Sequence, residues 1–341
     1  LVLPAFFSVY RPQIETELKA TAKTNLASLN NVLDYHWGWI DQQGQPRQNT
    51  LGKLVRGTLC LVSCRAVGGD YQQALPAAAA LELVHTFSLI HDDIEDNSVE
   101  RHHQPTVWKL WGEAQAINAG DAVYTLSHLT LLQLVKRGIS TDKVIHCLKV
   151  LDGACLELCE GQYLDITYED RVDISIDDYF NLISKKTGAL MAASTCLGAL
   201  LGMANPALIE LFYTIGRELG LAYQIRDDIL GIWGLEKSTG KPARDDIIKR
   251  KKTLPVVYSF HKAQGRDKKR LLGLYQKPVI EEPDISRIVE ILDALEVRAF
   301  SESRANEHYL QALKYIEETN LPPSNLKELK ELARFFAERE Y

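Results

Sequence analysis

No uninterrupted apolar run in this sequence reaches the roughly 20 residues that a membrane-crossing helix needs. The apolar opening LVLPAFFSVY (1–10) is broken by Pro4 and has no basic segment before it, so it does not read as a secretory signal. Positive charge is also short. The 341 residues carry 39 Lys and Arg against 45 Asp and Glu, a formal net charge of −6. That balance excludes nucleic acid as a general partner, although local cations or a metal can still hold an anionic substrate. The six cysteines (Cys60, Cys64, Cys147, Cys155, Cys159 and Cys196) include two pairs spaced i,i+4, and the Cys-x-x-Cys spacing of zinc and redox sites is missing. They read as small hydrophobes in a reduced interior. The expectation is a cytoplasmic protein without a membrane span.

Continuous β-branched runs bounded by turn residues are nearly absent as well. Helical periodicity dominates in ALPAAAALELVHTFSLIHDD (74–93), AINAGDAVYTLSHLTLLQLVKRG (116–138), VIHCLKVLDGACLELCEGQYLDI (144–166) and LIELFYTIGRELGLAYQIRDDILGIWG (208–234). Turn signals interrupt the pattern at GGD (68–70), HHQP (102–105), RGIST (137–141), MANP (203–206), STGKPARDD (238–246) and LPPS (321–324). None of these breaks is long enough to be an interdomain linker. GWIDQQGQPRQ (38–48) reads as a surface loop. With 46% apolar residues, the chain can build a sizeable core. The reading is all-α: one domain over residues 1–341, a single bundle of about ten or more helices.

Two acidic clusters end otherwise apolar helices. Asp92, Asp93 and Asp96 form Asp-Asp-x-x-Asp in LIHDDIEDN. Residues i and i+4 share a helix face, so Asp92 and Asp96 point together and Asp93 lies about 100° round. Unpaired, these charges repel. Mg²⁺ reverses that, because it takes oxygen ligands and is shared between carboxylates and substrate phosphate. A solvated acidic helix end would explain one such cluster. A second, Asp227 and Asp228 in YQIRDDILG, suggests carboxylates facing one cavity. Cations in turns and at helix ends supply anion partners: Lys53 and Arg56 in LGKLVRG, Arg101 in ERHHQP, Lys186 with Thr187 in SKKTG, Lys241 in TGKP, and Lys251 in KRKKTLP.

Taken in order, GKLVR, HTFSLIHDDIED, ERHHQPT, GQYLDI, KKTGAL, YQIRDDIL and GKPARDDIIKRKKTLP resemble the trans-isoprenyl diphosphate synthases, or polyprenyl synthetases, over about residues 50 to 260. The pattern is most similar to geranylgeranyl diphosphate synthases. The resemblance implies the isoprenoid synthase fold, helices around a central cavity, a homodimer, and a site using three Mg²⁺ ions. By position, Asp92 and Asp96 would ligate Mg²⁺ on the allylic diphosphate. Asp227 would ligate another ion, with Asp228 and Asp246 supporting it from behind. Arg101, Lys186 and Lys241 would hold the allylic diphosphate beside Thr187 and Gln224. Lys53, Arg56 and His85 would hold isopentenyl diphosphate, and Gln162 and Asp165 would line the same cavity. Asp93, Asp228, Lys186 and Lys241 count with the metal ligands as catalytic, and Lys251 as substrate-binding.

The sequence departs from the family pattern at three places. Gly231 stands where the second motif usually ends in Asp. His102 stands where a second Arg contacts isopentenyl diphosphate, and Leu54 replaces another Arg. Histidine titrates near pH 6.5 while arginine stays charged, so isopentenyl diphosphate should bind more weakly and with more pH dependence. For product length, Ser88, Val84 and Leu81 lie within about 80° of the Asp92 direction on an ideal helix, with Phe87 to the side. Plain helix packing would explain all four. In the family, the positions four and five before the first Asp govern length. One aromatic (Phe87) beside a small residue (Ser88) implies geranylgeranyl diphosphate, then farnesyl, then longer products. Two other readings stay open: a class I terpene cyclase of the same fold, and a non-catalytic synthase subunit.

Overall fold

The computed structural model describes every residue except 1–2, 48–51, 102–103, 235–243, 278 and 340–341. Its architecture is helical throughout. α1 (Phe7–Thr21), α2 (Ala27–His36), α3 (Val55–Ala66) and α4 (Leu75–Glu95) come first. α5 (Val107–Trp111), α6 (Glu113–Leu131) and α7 (Thr141–Tyr168) follow. Then come α8 (Ile176–Ile183), α9 (Ala189–Leu201) and α10 (Pro206–Trp233). The chain continues through α11 (Asp245–Ile248), α12 (Leu254–Lys262), α13 (Gly265–Tyr275), α14 (Glu282–Ala294), α15 (Val297–Glu318) and α16 (Pro323–Glu338). The expected breaks at 68–70 and 203–205 fall between these helices, while 102–103 and 238–243 lie outside the described residues.

Position in the bundle follows from composition. Every residue of α9 is buried, as a helix apolar on all sides must be. α3, α7 and α10 surround it, α4 packs along α6, and α15 packs along α10. α10 starts cleanly because the Asn205 side chain accepts from the Leu208 N–H, and Pro206 fills a first-turn position that needs no donor. α8 starts with a capping box between Ser175 and Asp178.

Between α8 and α9 the backbone widens into a π-helical turn, Ser184–Gly188. Such turns concentrate at functional sites, and this one carries Lys186 and Thr187. The only sheet among the described residues is a two-stranded antiparallel ribbon, β1 (Glu100–Arg101) against β2 (Gln104–Pro105). Cys159 departs from the sequence reading. The other five thiols are buried, while Cys159 is exposed and lines the cavity described next.

Candidate active site

The ends of α4 and α10 open on one cavity of about 820 Å³, with further walls from α3, α7 and the π turn. Asp92 and Asp227 both line it, as do Lys53, Arg56, His85, Arg101, Gln162, Lys186, Thr187 and Gln224. Residues as far apart in sequence as Lys53 and Asp227 thus meet around a single space.

Within each aspartate pair, the neighbours divide the roles. Asp93 turns away and is buried. Arg101 grips it, donating from Nη2 at 2.8 Å and from Nε at 3.1 Å. Burial raises the Asp93 pKa and Arg101 opposes the rise. Asp228 also turns inward. It accepts from the Tyr179 hydroxyl at 2.7 Å, the Leu254 N–H at 2.9 Å and the Gln224 amide at 2.8 Å. Burial still pushes its pKa up to about 7, against the Tyr179 bond and with help from the Asp246 charge. The oxygens left toward the cavity are those of Asp92 and Asp227.

Lysines stand between the carboxylates. Lys186 donates to Asp165 at 2.5 Å and lies 3.6 Å from Asp92. Lys251 donates to Asp96 at 3.0 Å. Burial would lower both lysines, but the surrounding carboxylates outweigh it and raise them. Burial would likewise raise Asp96, and Lys251, together with Lys186 and Lys249, more than offsets it. Thr187 donates to Gln224 at 2.6 Å, which ties the π turn to α10.

On the other side of the cavity, burial lowers Lys53 to about 8, with the Arg339 charge adding to the shift. Arg56 is half-buried, and its Nε is buried without a hydrogen-bond partner. The sequence reading missed Arg339 altogether. It is 2% exposed, pairs with Asp227 at 2.5 Å and lies 3.4 Å from the Tyr223 ring centroid. Its carbonyl accepts from Arg226 at 2.7 Å, and its own Nε is also without a partner. Arg339 follows α16, far from every motif, so no local signal marks it. Arg11 of α1, another missed cation, lines the same cavity.

Phe87 and Ser88 of α4 also line the cavity, with Leu158 and Cys159 of α7. Leu81 and Val84 do not. Both are fully buried and belong to the core, because α4 packs against its neighbours along that stripe. The angular count from Asp92 placed them in the pocket wall, and tertiary packing corrects it.

The chain matches the polyprenyl synthetase family model over residues 39–292. The chain belongs to the polyprenyl synthetase family. It is 37% identical over 314 residues to a (2E,6E)-farnesyl diphosphate synthase of Mycobacterium bovis, covering 91% of this chain and 86% of that one. It is also 37% identical, over 251 residues, to a geranylgeranyl diphosphate synthase of Mycobacterium tuberculosis, covering 73% and 70%. Its fold matches a polyprenyl synthetase crystal structure from Streptomyces coelicolor A3(2) with a TM-score of 0.91 and 32% identity, covering 97% of this chain and 98% of that one. The fold is therefore the all-α isoprenoid synthase fold, and the family is one of prenyl-transferring enzymes.

Of the residues that the family resemblance marks, His102 and Lys241 lie outside the described residues. Gly231 acquires a physical reason. A β-carbon there would lie 1.8 Å from Asp246 Oδ2, so the glycine makes room for the Asp246 carboxylate beside Asp228. Prenyl synthases generally use Mg²⁺. Among the described residues no three His, Cys, Asp or Glu side chains form a closed metal cage. Mg²⁺ needs none, since it keeps several waters and takes one or two carboxylates plus substrate phosphate. The all-oxygen donors Asp92 and Asp227, beside an anion-ready row of cations, fit that requirement.

No helix among the described residues is long and apolar enough to cross a membrane.

Proposed function

We propose that this chain joins isopentenyl diphosphate to allylic diphosphates and makes a linear all-trans prenyl diphosphate, with geranylgeranyl diphosphate as its main product. The observation that carries the reading is the mixed lining of the cavity: carboxylates and cations together with apolar side chains, Phe87, Leu158 and Leu230 among them. A substrate with a charged head and a hydrocarbon tail matches both kinds of lining.

Asp92, Asp96 and Asp227 would hold Mg²⁺, which supplies charge neutralisation for a departing diphosphate. Lys186, held by Asp165, and Lys251, held by Asp96, would bind the same diphosphate. Arg101, fixed by Asp93, adds a third cation. Lys53, Arg56, His85 and Arg339 form the second anion subsite. The unpartnered Nε groups of Arg56 and Arg339 favour an anion there, because a buried donor without an acceptor costs about 1–3 kcal/mol. Holding both heads fixes the double bond of one substrate against the allylic carbon of the other. The apolar walls keep water from the cationic centre that forms when diphosphate leaves. The double bond is itself the nucleophile, its π electrons forming the new carbon–carbon bond as the allylic carbon–oxygen bond breaks. A proton is then lost to the departing diphosphate, so no protein nucleophile or base is needed.

The exposed apolar side chains of α6 and α7 and the turn between them, among them Leu129, Leu132, Val135 and Leu156, support a homodimer.

Pure protein with Mg²⁺, isopentenyl diphosphate and dimethylallyl, geranyl or farnesyl diphosphate tests the reading. Dephosphorylated products are sized by mass spectrometry. A linear prenyl alcohol supports chain elongation. A cyclic hydrocarbon, or no product, overturns it in favour of a cyclase or a silent subunit.

A further inference from the structure

Lys186 and Thr187 reach the cavity from the π-helical turn Ser184–Gly188. A lone π turn is rare, and its extra residue displaces the side chains on it relative to an α-helix. Lys186 is tightly placed, 2.5 Å from Asp165 and 3.6 Å from Asp92. Whatever holds the turn therefore sets where that ammonium stands.

Two helices hold it at backbone range. A β-carbon at Gly161 of α7 would lie 2.3 Å from the Lys186 nitrogen and 2.7 Å from its Cα. On the α10 side, a β-carbon at Gly220 would lie 2.8 Å from Gly188 Cα. Such contacts limit how close the turn can come, but they are not directional bonds. Direction comes from two side chains of α10. Gln224 accepts from Thr187 at 2.6 Å. Arg217, seven residues earlier on the same helix face, spans the turn. Its Nη1 donates to Ser184 Oγ at 2.8 Å, where the turn starts. Its stem lies beside the other end, since a β-carbon at Gly188 would be 3.6 Å from Arg217 Cγ. Its Nη2 donates to Glu157 Oε2 of α7 at 2.8 Å and to the Tyr213 hydroxyl. One guanidinium thus ties α10, α7 and the turn together. Arg217, Glu157 and Ser184 stand outside the cavity lining, so they act on the site only through the turn.

We propose that Arg217 is a positioning residue for Lys186: anchored on Glu157, it fixes the π turn from Ser184 to Gly188 and with it the place of the lysine ammonium. The proposal rests on the chain-elongation reading above, in which Lys186 binds the allylic diphosphate. Without Arg217 the turn keeps its backbone contacts and loses a directional tie. A misplacement of about 1 Å can cost roughly 100-fold in rate. Lys53 and Arg56, on and before α3, do not depend on the turn, so the hold on isopentenyl diphosphate stays.

The test compares wild type, Arg217→Met, Lys186→Ala and Lys186→Ala/Arg217→Met in the presence of Mg²⁺. Methionine keeps an apolar stem against Gly188 and removes the bonds to Ser184, Glu157 and Tyr213. With farnesyl and isopentenyl diphosphates, kcat/KM for the allylic substrate should fall roughly 10- to 100-fold in Arg217→Met, with KM for isopentenyl diphosphate unchanged. Calorimetric titration with farnesyl thiodiphosphate, whose bridging sulfur resists ionisation, reads allylic binding in variants too slow to assay. There Arg217→Met should weaken binding when Lys186 is present and change it little in Lys186→Ala, the non-additivity of two groups that act as one. Ser184→Ala removes only a hydroxyl. It should shift both readouts the same way by less, and it replaces Arg217→Met should that variant not fold. An allylic kcat/KM left unchanged by either variant overturns the proposal. So does a KM for isopentenyl diphosphate that rises in step, or a binding loss that is as large in Lys186→Ala as in wild type. A wild type that makes no linear product overturns the elongation reading instead, so the two failures are distinguishable.

Discussion

Replacing Gly231 tests how the second aspartate cluster is assembled. A β-carbon at that position would lie 1.8 Å from Asp246 Oδ2, 2.6 Å from its Cγ and 3.4 Å from its Cβ. Asp246 is buried, so its carboxylate has little room to withdraw. Two effects oppose each other in Gly231→Ala. Residue 231 lies inside α10, where alanine is preferred over glycine by about 1 kcal/mol. Forcing extra atoms into a filled space costs about 1–3 kcal/mol. The steric cost should prevail, leaving Gly231→Ala less stable by roughly 0–2 kcal/mol. Gly231→Asp restores the family's usual aspartate and should do worse. Two carboxylates about 4 Å apart repel by roughly 4 kcal/mol at an effective dielectric of about 20, and burial already holds Asp228 up to about 7 next to the Asp246 charge. Urea and thermal unfolding should rank wild type, Gly231→Ala, Gly231→Asp in falling order. In Gly231→Ala/Asp246→Ala the clash is gone, and the alanine gain at 231 should reappear as a coupling between the two sites. A Gly231→Ala protein more stable than wild type by about the full 1 kcal/mol would refute the reasoning, because Asp246 could not then fill that space.

Two further predictions address the second anion subsite. Arg339→Ala removes a buried guanidinium whose Nε has no partner. Charge-assisted hydrogen bonds are worth about 1.5–3 kcal/mol, so KM for isopentenyl diphosphate should rise roughly 10- to 100-fold with a smaller change in kcat. An unchanged KM would remove Arg339 from the subsite. Lys53 titrates at about 8 in the free protein. It is charged below that pH and loses its charge above it, so kcat/KM for isopentenyl diphosphate should fall as pH rises through 8. Lys53→Arg, which stays protonated, should flatten that limb. A limb that persists unchanged would assign it to another group.

The helices and their ends were legible in the sequence because both are local. Helical periodicity and Gly/Pro breaks act within a few residues, so α7 and α10 lie within a few residues of where the pattern put them. The ordered motifs likewise revealed the family and the two aspartate clusters. The family resemblance named Asp92 and Asp227 as ligands, but helix geometry alone could not say why those carboxylates, and not their neighbours, serve the cavity. Adjacent residues differ by about 100° on a helix, and only the neighbouring elements tell them apart. Arg101 claims Asp93, and Tyr179 with the Leu254 N–H claims Asp228, leaving Asp92 and Asp227 to the open space. The same reason sends Leu81 and Val84 into the core. Arg339 reaches Asp227 across 112 positions that no local pattern spans. Sequence alone determined the type of side chain available for the chemistry. Packing between distant helices decided which of those side chains face one another, because that depends on contacts that exist only once the chain has closed on itself.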